Sequence, residues 1–205
     1  MPTSSLPAKA AGVPSARERL LAAAAALFYR DGVTATGIDS IVKRAGVAKK
    51  SLYNNFASKS DLVAAYLEVR HAEWLALYAA RLDAARCSRE RVMAVFLAYE
   101  DHASQAYEHG FRGCGLLNAA AELPAGDAGR AVVSAHKAQV EALLAEHLAA
   151  GSTDSGEAPD IARAERLARH LAFVLEGAMT RAGLEGNSDA LHQARAIAST
   201  LMEAP

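Results

Sequence analysis

The apolar residues of this chain recur at intervals of three and four almost from end to end, and no other feature constrains the fold as strongly. Leu20, Ala23, Ala24, Leu27 and Phe28 fall at i, i+3, i+4, i+7 and i+8, the signature of one helix face. Ile38, Ile41, Val42 and Ala45 repeat the pattern at i, i+3, i+4 and i+7. No segment sustains the strict alternation of a half-buried strand. Ala dominates and aromatic residues make up only 6% of the 205, a mix that favours helices over strands. The expected fold is therefore all-α, with about nine helices.

Punctuation residues divide the pattern. Residues 1–14 are rich in Pro, Ala and Ser and aperiodic, as in a flexible arm. Ser15 and Glu18 have capping-box spacing at the head of the first helix, and Gly32 should end it in the left-handed conformation. Thr36 and Asp39 repeat the capping-box spacing before a second helix, which Gly46 breaks. A third helix starts near Ala48. Two short helices joined by a tight Gly-containing turn make a helix-turn-helix candidate, over about 38–57. Further helices are expected at 59–83 (opened by Ser58 and Asp61), 88–108, 113–123, 127–149, 160–183 and up to about 203. Residues 151–159 and 186–188 have loop and turn composition.

Charge is unevenly spread. Residues 1–60 hold nine Lys and Arg against three acidic residues, whereas the remainder holds 13 basic and 20 acidic. An anionic partner is thus expected for the first part only. Two cysteines, Cys87 and Cys114, do not form a disulfide framework, and a reduced cytosol is the simpler setting. No apolar run reaches the ~18–20 residues of a membrane span, so neither membrane nor secretion is expected.

The segment AGVAKKSLYNNFASKSDL, 45–62, carries the most chemistry. At ~100° per residue, Ala48, Leu52 and Phe56 share one side of the third helix, with Lys50 and Asn54 opposite. Lys49, Ser51 and Tyr53 flank them. The apolar side would dock on the first two helices. The outward side presents ammonium, amide, phenol and hydroxyl groups suited to a DNA major groove. Lys50 could donate to guanine and Asn54 could pair with adenine, with Lys49 and Tyr53 where phosphates would pass. Lys59, in the first turn of the next helix, and Thr36 and Gly37, opening the second, could meet further phosphates. Any one lysine is ordinarily just a solvated residue. The set stands out because it clusters on one face, behind a tight turn, in the basic third of the chain.

Residues 15–62 resemble the DNA-binding domain of the TetR family of bacterial transcription regulators. The resemblance rests on Leu27–Phe28, Gly32, Thr36, Ala45–Val47, Leu52–Tyr53, Phe56 and Ser58–Lys59. It implies a homodimer in which three N-terminal helices bind double-stranded operator DNA and a larger helical body, 63–205, binds an unidentified small-molecule effector. Ala48 departs from the family's usual Ser or Thr and forfeits a side-chain cap. Lys50 replaces what is often a small residue, so operator preference cannot be borrowed from relatives.

The family architecture, rather than spacing, nominates the effector cavity. Its walls would be Trp74, Tyr78, Met93, Phe96, Tyr99, Leu116 and Phe173, and its polar fixtures His102, Asn118, Glu122 and Glu176. By the same inference two helices form the dimer, through Leu167, Leu171, Leu175 and Ala178 on one and Leu191, Ala194, Ile197, Ala198 and Leu201 on the other. Two recognition helices ~34–36 Å apart would read the half-sites of a palindrome. The expected activity is a repressor released by its ligand. An activator, or a regulator without an effector, is the alternative. An enzyme is disfavoured: no phosphate-binding loop is present. Glu68/His71 is one Glu-x-x-His unit where a di-iron site needs two, so no metal or cofactor is expected.

Overall fold

The computed structural model describes residues 13–105, 107–154 and 158–203, with the backbone alone for 152–154. Most of the expected arm at 1–14 and the middle of the expected loop at 151–159 lie outside the described residues. Those described form nine α-helices and no strand: α1 Ala16–Asp31, α2 Ile38–Ala45, α3 Lys49–Asn55, α4 Lys59–Leu82, α5 Ser88–Ala103, α6 Gly115–Glu122, α7 Ala128–Asp154, α8 Ile161–Glu185 and α9 Asp189–Glu203.

Local chemistry accounts for the N-terminal boundaries. Ser15 and Glu18 make a reciprocal capping box, with Glu18 N donating to Ser15 Oγ at 3.2 Å and Ser15 N to Glu18 Oε2 at 2.7 Å. Gly32 ends α1 at φ 93° and ψ 160°. The positive φ is as expected, but the extended ψ is not left-handed helix; it is a region essentially reserved for glycine. Gly46 ends α2 in the left-handed region and donates to the Lys43 and Val42 carbonyls. Ser58 caps α4, its hydroxyl accepting from Asp61 N at 3.1 Å.

α1 packs on α2, α3, α4 and α6. Leu20, Leu27, Phe28, Ile41, Leu52, Phe56 and Leu62 interlock there, all at most 5% exposed. α4 runs unbroken from this unit into the body, across the expected boundary at 62/63. There it packs on α5, α6 and α7, while α7, α8 and α9 stack behind. Two helices differ in length from expectation. α5 stops at Ala103 rather than near 108, leaving 104–114 as a connection, and α7 continues to Asp154. α6 and that connection are therefore wedged between the N-terminal unit and the body.

Candidate nucleic-acid interface and effector core

α3 has only seven residues and no side-chain cap, because its N-cap is Ala48. An isolated helix this short would not form. Tertiary packing supplies its stability: Leu52 is fully buried, and Phe56 is buried with the Arg17 guanidinium 5.2 Å above its ring. Ala48 itself is exposed rather than part of the docked side. The opposite face points to solvent. Lys49, Lys50, Tyr53, Asn54 and, before α2, Gly37 are exposed, while Ser51 and Lys59 are half-buried. Lys49 already has a partner, with Nζ 2.9 Å from Asp39 Oδ1. That hydrogen bond to Asp39 raises the ammonium pKa. Lys43 and Lys50 make no ion pair with any described residue.

Thr36 is a correction. It is 3% exposed, and its hydroxyl donates inward to Gly32 O at 2.7 Å and to Leu27 O at 3.3 Å. It neither caps α2, whose N-cap is Gly37, nor can reach a phosphate. It locks the α1–α2 turn instead.

Glu122 is the second correction, and its role escaped sequence reasoning. Expected inside a cavity, it is exposed, at the end of α6. Its two carboxylate oxygens accept from Val33 N at 3.0 Å and Thr34 N at 2.7 Å. Burial alone would raise this carboxyl. The hydrogen bonds from Thr34, backbone and side chain, and from Val33 outweigh it and hold the group below the usual glutamate range. A Cβ at Gly32 would sit 2.5 Å from the same carboxylate, a second reason for glycine there.

The connection before α6 reinforces this grip. Arg112 Nη1 donates to the Tyr29 and Arg30 carbonyls, each at 2.5 Å, so the guanidinium caps the C-terminus of α1. Arg112 N donates to Tyr29 Oη at 2.6 Å, and that hydroxyl donates to Gly113 O at 3.1 Å. Burial pushes the Tyr29 phenol up to about 12, against the pull of Arg112. Asn118, another expected cavity fixture, instead donates to Arg112 O at 2.9 Å and braces the connection. Arg44 of α2 bonds Glu108 at 2.6 Å. The other side of the connection lies on α8: a Cβ on Gly183 would meet the backbone nitrogen of Gly113 at 2.6 Å.

Of the expected cavity residues, Trp74, Tyr99, His102 and Leu116 meet around one void of about 20 Å³, shared with Arg70, Cys114, Gly115, His136 and Met179. That is room for about one water. Tyr78 and Phe96 are buried beyond it. Tyr78 bonds His147 at 2.6 Å. Met93 and Glu176 are half-buried and do not line it, Glu176 lying 3.7 Å from Lys137. Phe173 is corrected outright, being 64% exposed on the outer side of α8. His136, which sequence reasoning missed, joins Tyr99 at 3.4 Å and His71 at 2.8 Å. Burial depresses the basicity of His102 to about 4 and of His136 to about 3, and lowers that of His147. These rings are neutral at neutral pH.

Two family profiles match the chain. Residues 20–66 fit the bacterial regulatory proteins of the tetR family, and residues 88–198 fit the tetracyclin repressor-like C-terminal domain. The chain belongs to the TetR family. By that membership it is a DNA-binding transcriptional regulator with an N-terminal helix-turn-helix, and not an enzyme. A TetR-type regulator from Streptomyces avermitilis is 36% identical and superposes with a TM-score of 0.75, over 93% of this chain and 97% of the other. Two curated relatives match over shorter spans. The transcriptional activator FasR of Mycolicibacterium smegmatis is 39% identical over 95 residues, 44% of this chain and 43% of that protein. The transcriptional repressor KstR2 of Mycobacterium tuberculosis is 37% identical over 98 residues, 47% of this chain and 46% of that protein. The chain thus matches less than half the length of either.

In this TetR-family chain the stripe expected to form a dimer is largely consumed within one copy. Leu171, Leu175, Leu191, Ala194 and Ala198 are all at most 2% exposed, because α8 and α9 pack on each other and α8 on α7. Leu167, Ala178 and Leu201 are half-buried, and Ile197 is 47% exposed. The open apolar surface runs instead along Phe173, Gly177, Thr180 and Leu184, all exposed and at helical spacing on the outer side of α8. No helix among the described residues is long and apolar enough to cross a membrane.

Proposed function

We propose that the protein is a homodimeric transcriptional repressor, released from a palindromic operator when a small molecule binds its C-terminal helical body. Residues 15–62 read DNA and 63–205 sense the effector and dimerise. The observation that carries this is the outward face of α3: Lys49, Lys50, Tyr53 and Asn54 are all exposed on a helix whose opposite side is fastened by Leu52. Lys50 is the residue for base readout, since no described residue competes for its ammonium. Lys49 contacts phosphate after leaving Asp39, and Gly37, Ser51 and Lys59 border the same surface. The second copy docks on the Phe173–Leu184 stripe and Ile197, which apart from Ile197 replaces the buried residues expected for that role. This protein is expected to act in the cytoplasm, where its DNA is.

Effector release uses the contacts that bind α6 and residues 108–113 to α1, α2 and the turn between them. A ligand that displaces this segment changes the attachment of both recognition helices. An effector-independent regulator is the reading favoured by the void of only about 20 Å³. Against it stands a cleft of about 300 Å³ that shares Arg70 with that void, within the size range of small-molecule sites.

The test is binding to the DNA flanking its own gene and to random DNA, across a salt series. Specific binding with a steep salt slope is expected. Lys50→Ala should lower the preference for operator over random DNA by about 1–3 kcal/mol. An equal loss on both DNAs would reduce Lys50 to a phosphate contact, and equal weak binding by the unaltered protein would remove the repressor reading.

A further inference from the structure

We infer that the effector is an organic monocarboxylate whose acid group binds between Arg70 and Trp74 on α4. The inference rests on the ligand-responsive reading above and deepens it. Three buried side-chain atoms of α4 have no hydrogen-bond partner among the described residues: two donors, Arg70 Nε and Trp74 Nε1, and one acceptor, Glu73 Oε2, which is ion-paired with Arg70 Nη2. Donors therefore outnumber acceptors there, and Trp74 is only 3% exposed. The neighbouring polar groups satisfy one another. Tyr99 pairs with His136, His136 with His71, and His102 with Tyr107 at 3.1 Å. Arg70 has an ion-pair partner in Glu73, but through Nη2, which leaves Nε unused.

Residues 70 and 74 stand at i and i+4, so their side chains are neighbours on one helix face. Two donors side by side, one on a cation, match the two oxygens of one carboxylate. Buried donors without acceptors are rare in native proteins and call for a specific explanation. A ligand that supplies the acceptor is one; the neutral histidines do not repel its charge, and Glu73, the carboxylate already paired with this guanidinium, holds it through Nη2 rather than Nε.

The apolar part of the ligand has a place. Arg70 also lines the cleft of about 300 Å³ between α1 and the connection before α6, where Ala25, Tyr29 and Tyr107 form walls. Tyr29 and Tyr107 stack there with centroids 4.7 Å apart. A carboxylate anchored at Arg70 would extend its body against α1, beside the carbonyls that Arg112 caps. Ligand and DNA-binding unit would then share one wall.

Trp74 is the chain's only tryptophan, so its fluorescence reports this site alone. Benzoate, phenylacetate and octanoate would each be titrated against its own primary amide, with free protein and no DNA. At least one acid is expected to shift Trp74 emission saturably, at least about tenfold tighter than its amide. Arg70→Met should abolish that preference. Because Arg70 also pairs with Glu73, Trp74→Phe provides a second variant that keeps a ring and removes only the donor. Calorimetry should show it losing about tenfold in acid affinity with helicity unchanged. No binding by any of the three acids, equal binding of acid and amide, or acid binding that survives both substitutions would overturn the inference. The repressor reading fails separately: it is lost if the protein ignores its flanking DNA, whatever the acids do. If a neutral compound releases a bound operator, the carboxylate assignment falls and the repressor stands.

Discussion

The outward face of α3 and the core around Arg70 and Trp74 are both polar clusters on helices, yet they are built in opposite ways. On α3 the polar groups face water, and Lys50 has no ion-pair partner among the described residues. Their arrangement follows from helical period and one buried anchor. Around Trp74 the polar groups are buried or half-buried, and several are held by residues far away in sequence, such as His136 by His71 and His147 by Tyr78. The first kind of cluster keeps most of its chemistry free for a partner, Lys49 with its ion pair to Asp39 being the exception. The second spends nearly all of it internally, so the two donors left over, Arg70 Nε and Trp74 Nε1, stand out beside the ion-paired Glu73.

This contrast can be broken at its anchor. Leu52→Ala should cost about 2–5 kcal/mol in denaturant unfolding, because the seven-residue helix has no side-chain cap to fall back on. A much smaller loss would mean that α3 is held by something other than its packed side. Acid tests the core next. His102 and His136 are less basic folded than unfolded, about 4 and about 3 against 6.5. The unfolded chain therefore binds more protons, so stability is complete above the unfolded value and is lost as pH falls below it toward the folded ones. Going from about pH 7.5 to about pH 5.5 should remove about 1 kcal/mol per buried histidine, and His102→Gln should flatten the profile. An acid-independent stability would show that these rings are not buried as neutral groups.

The outer stripe of α8 offers a third test. Phe173→Glu should weaken self-association at least about tenfold in sedimentation, whereas Phe173→Leu should not. If both remain equally associated, the second copy sits elsewhere. The smallest effect belongs to the junction. Glu122→Gln keeps one acceptor but loses the charge, and should cost about 1 kcal/mol or less. Its sharper signature would be a weaker response of DNA binding to the effector, with affinity for operator in the ligand-free state nearly unchanged. Since the Glu122 carboxyl is held below its usual range, the contact persists above that range and is lost only as pH falls through the lowered value.

Much of this molecule was legible in its sequence, because the signals are local. Helical period, the Ser15–Glu18 box and the glycines at 32 and 46 determined where the helices begin and end. With the docked and free sides of α3, they were enough to identify a helix-turn-helix. What failed did so because the deciding contact is not local. Spacing made Thr36 a cap, but its hydroxyl turns back to the Gly32 carbonyl. The family architecture nominates Phe173 as a cavity wall, and neither that nor helical period tells which side of α8 meets α7 and α9 and which is left open. Glu122 sits 88 and 89 residues from the amides it binds, and Arg70 is one arginine among many until burial leaves its Nε without an acceptor among the described residues. Helical period is a property of the chain alone. Which face is buried, and which polar group ends without a partner, depends on what other helices bring to it, and only the tertiary structure decided that.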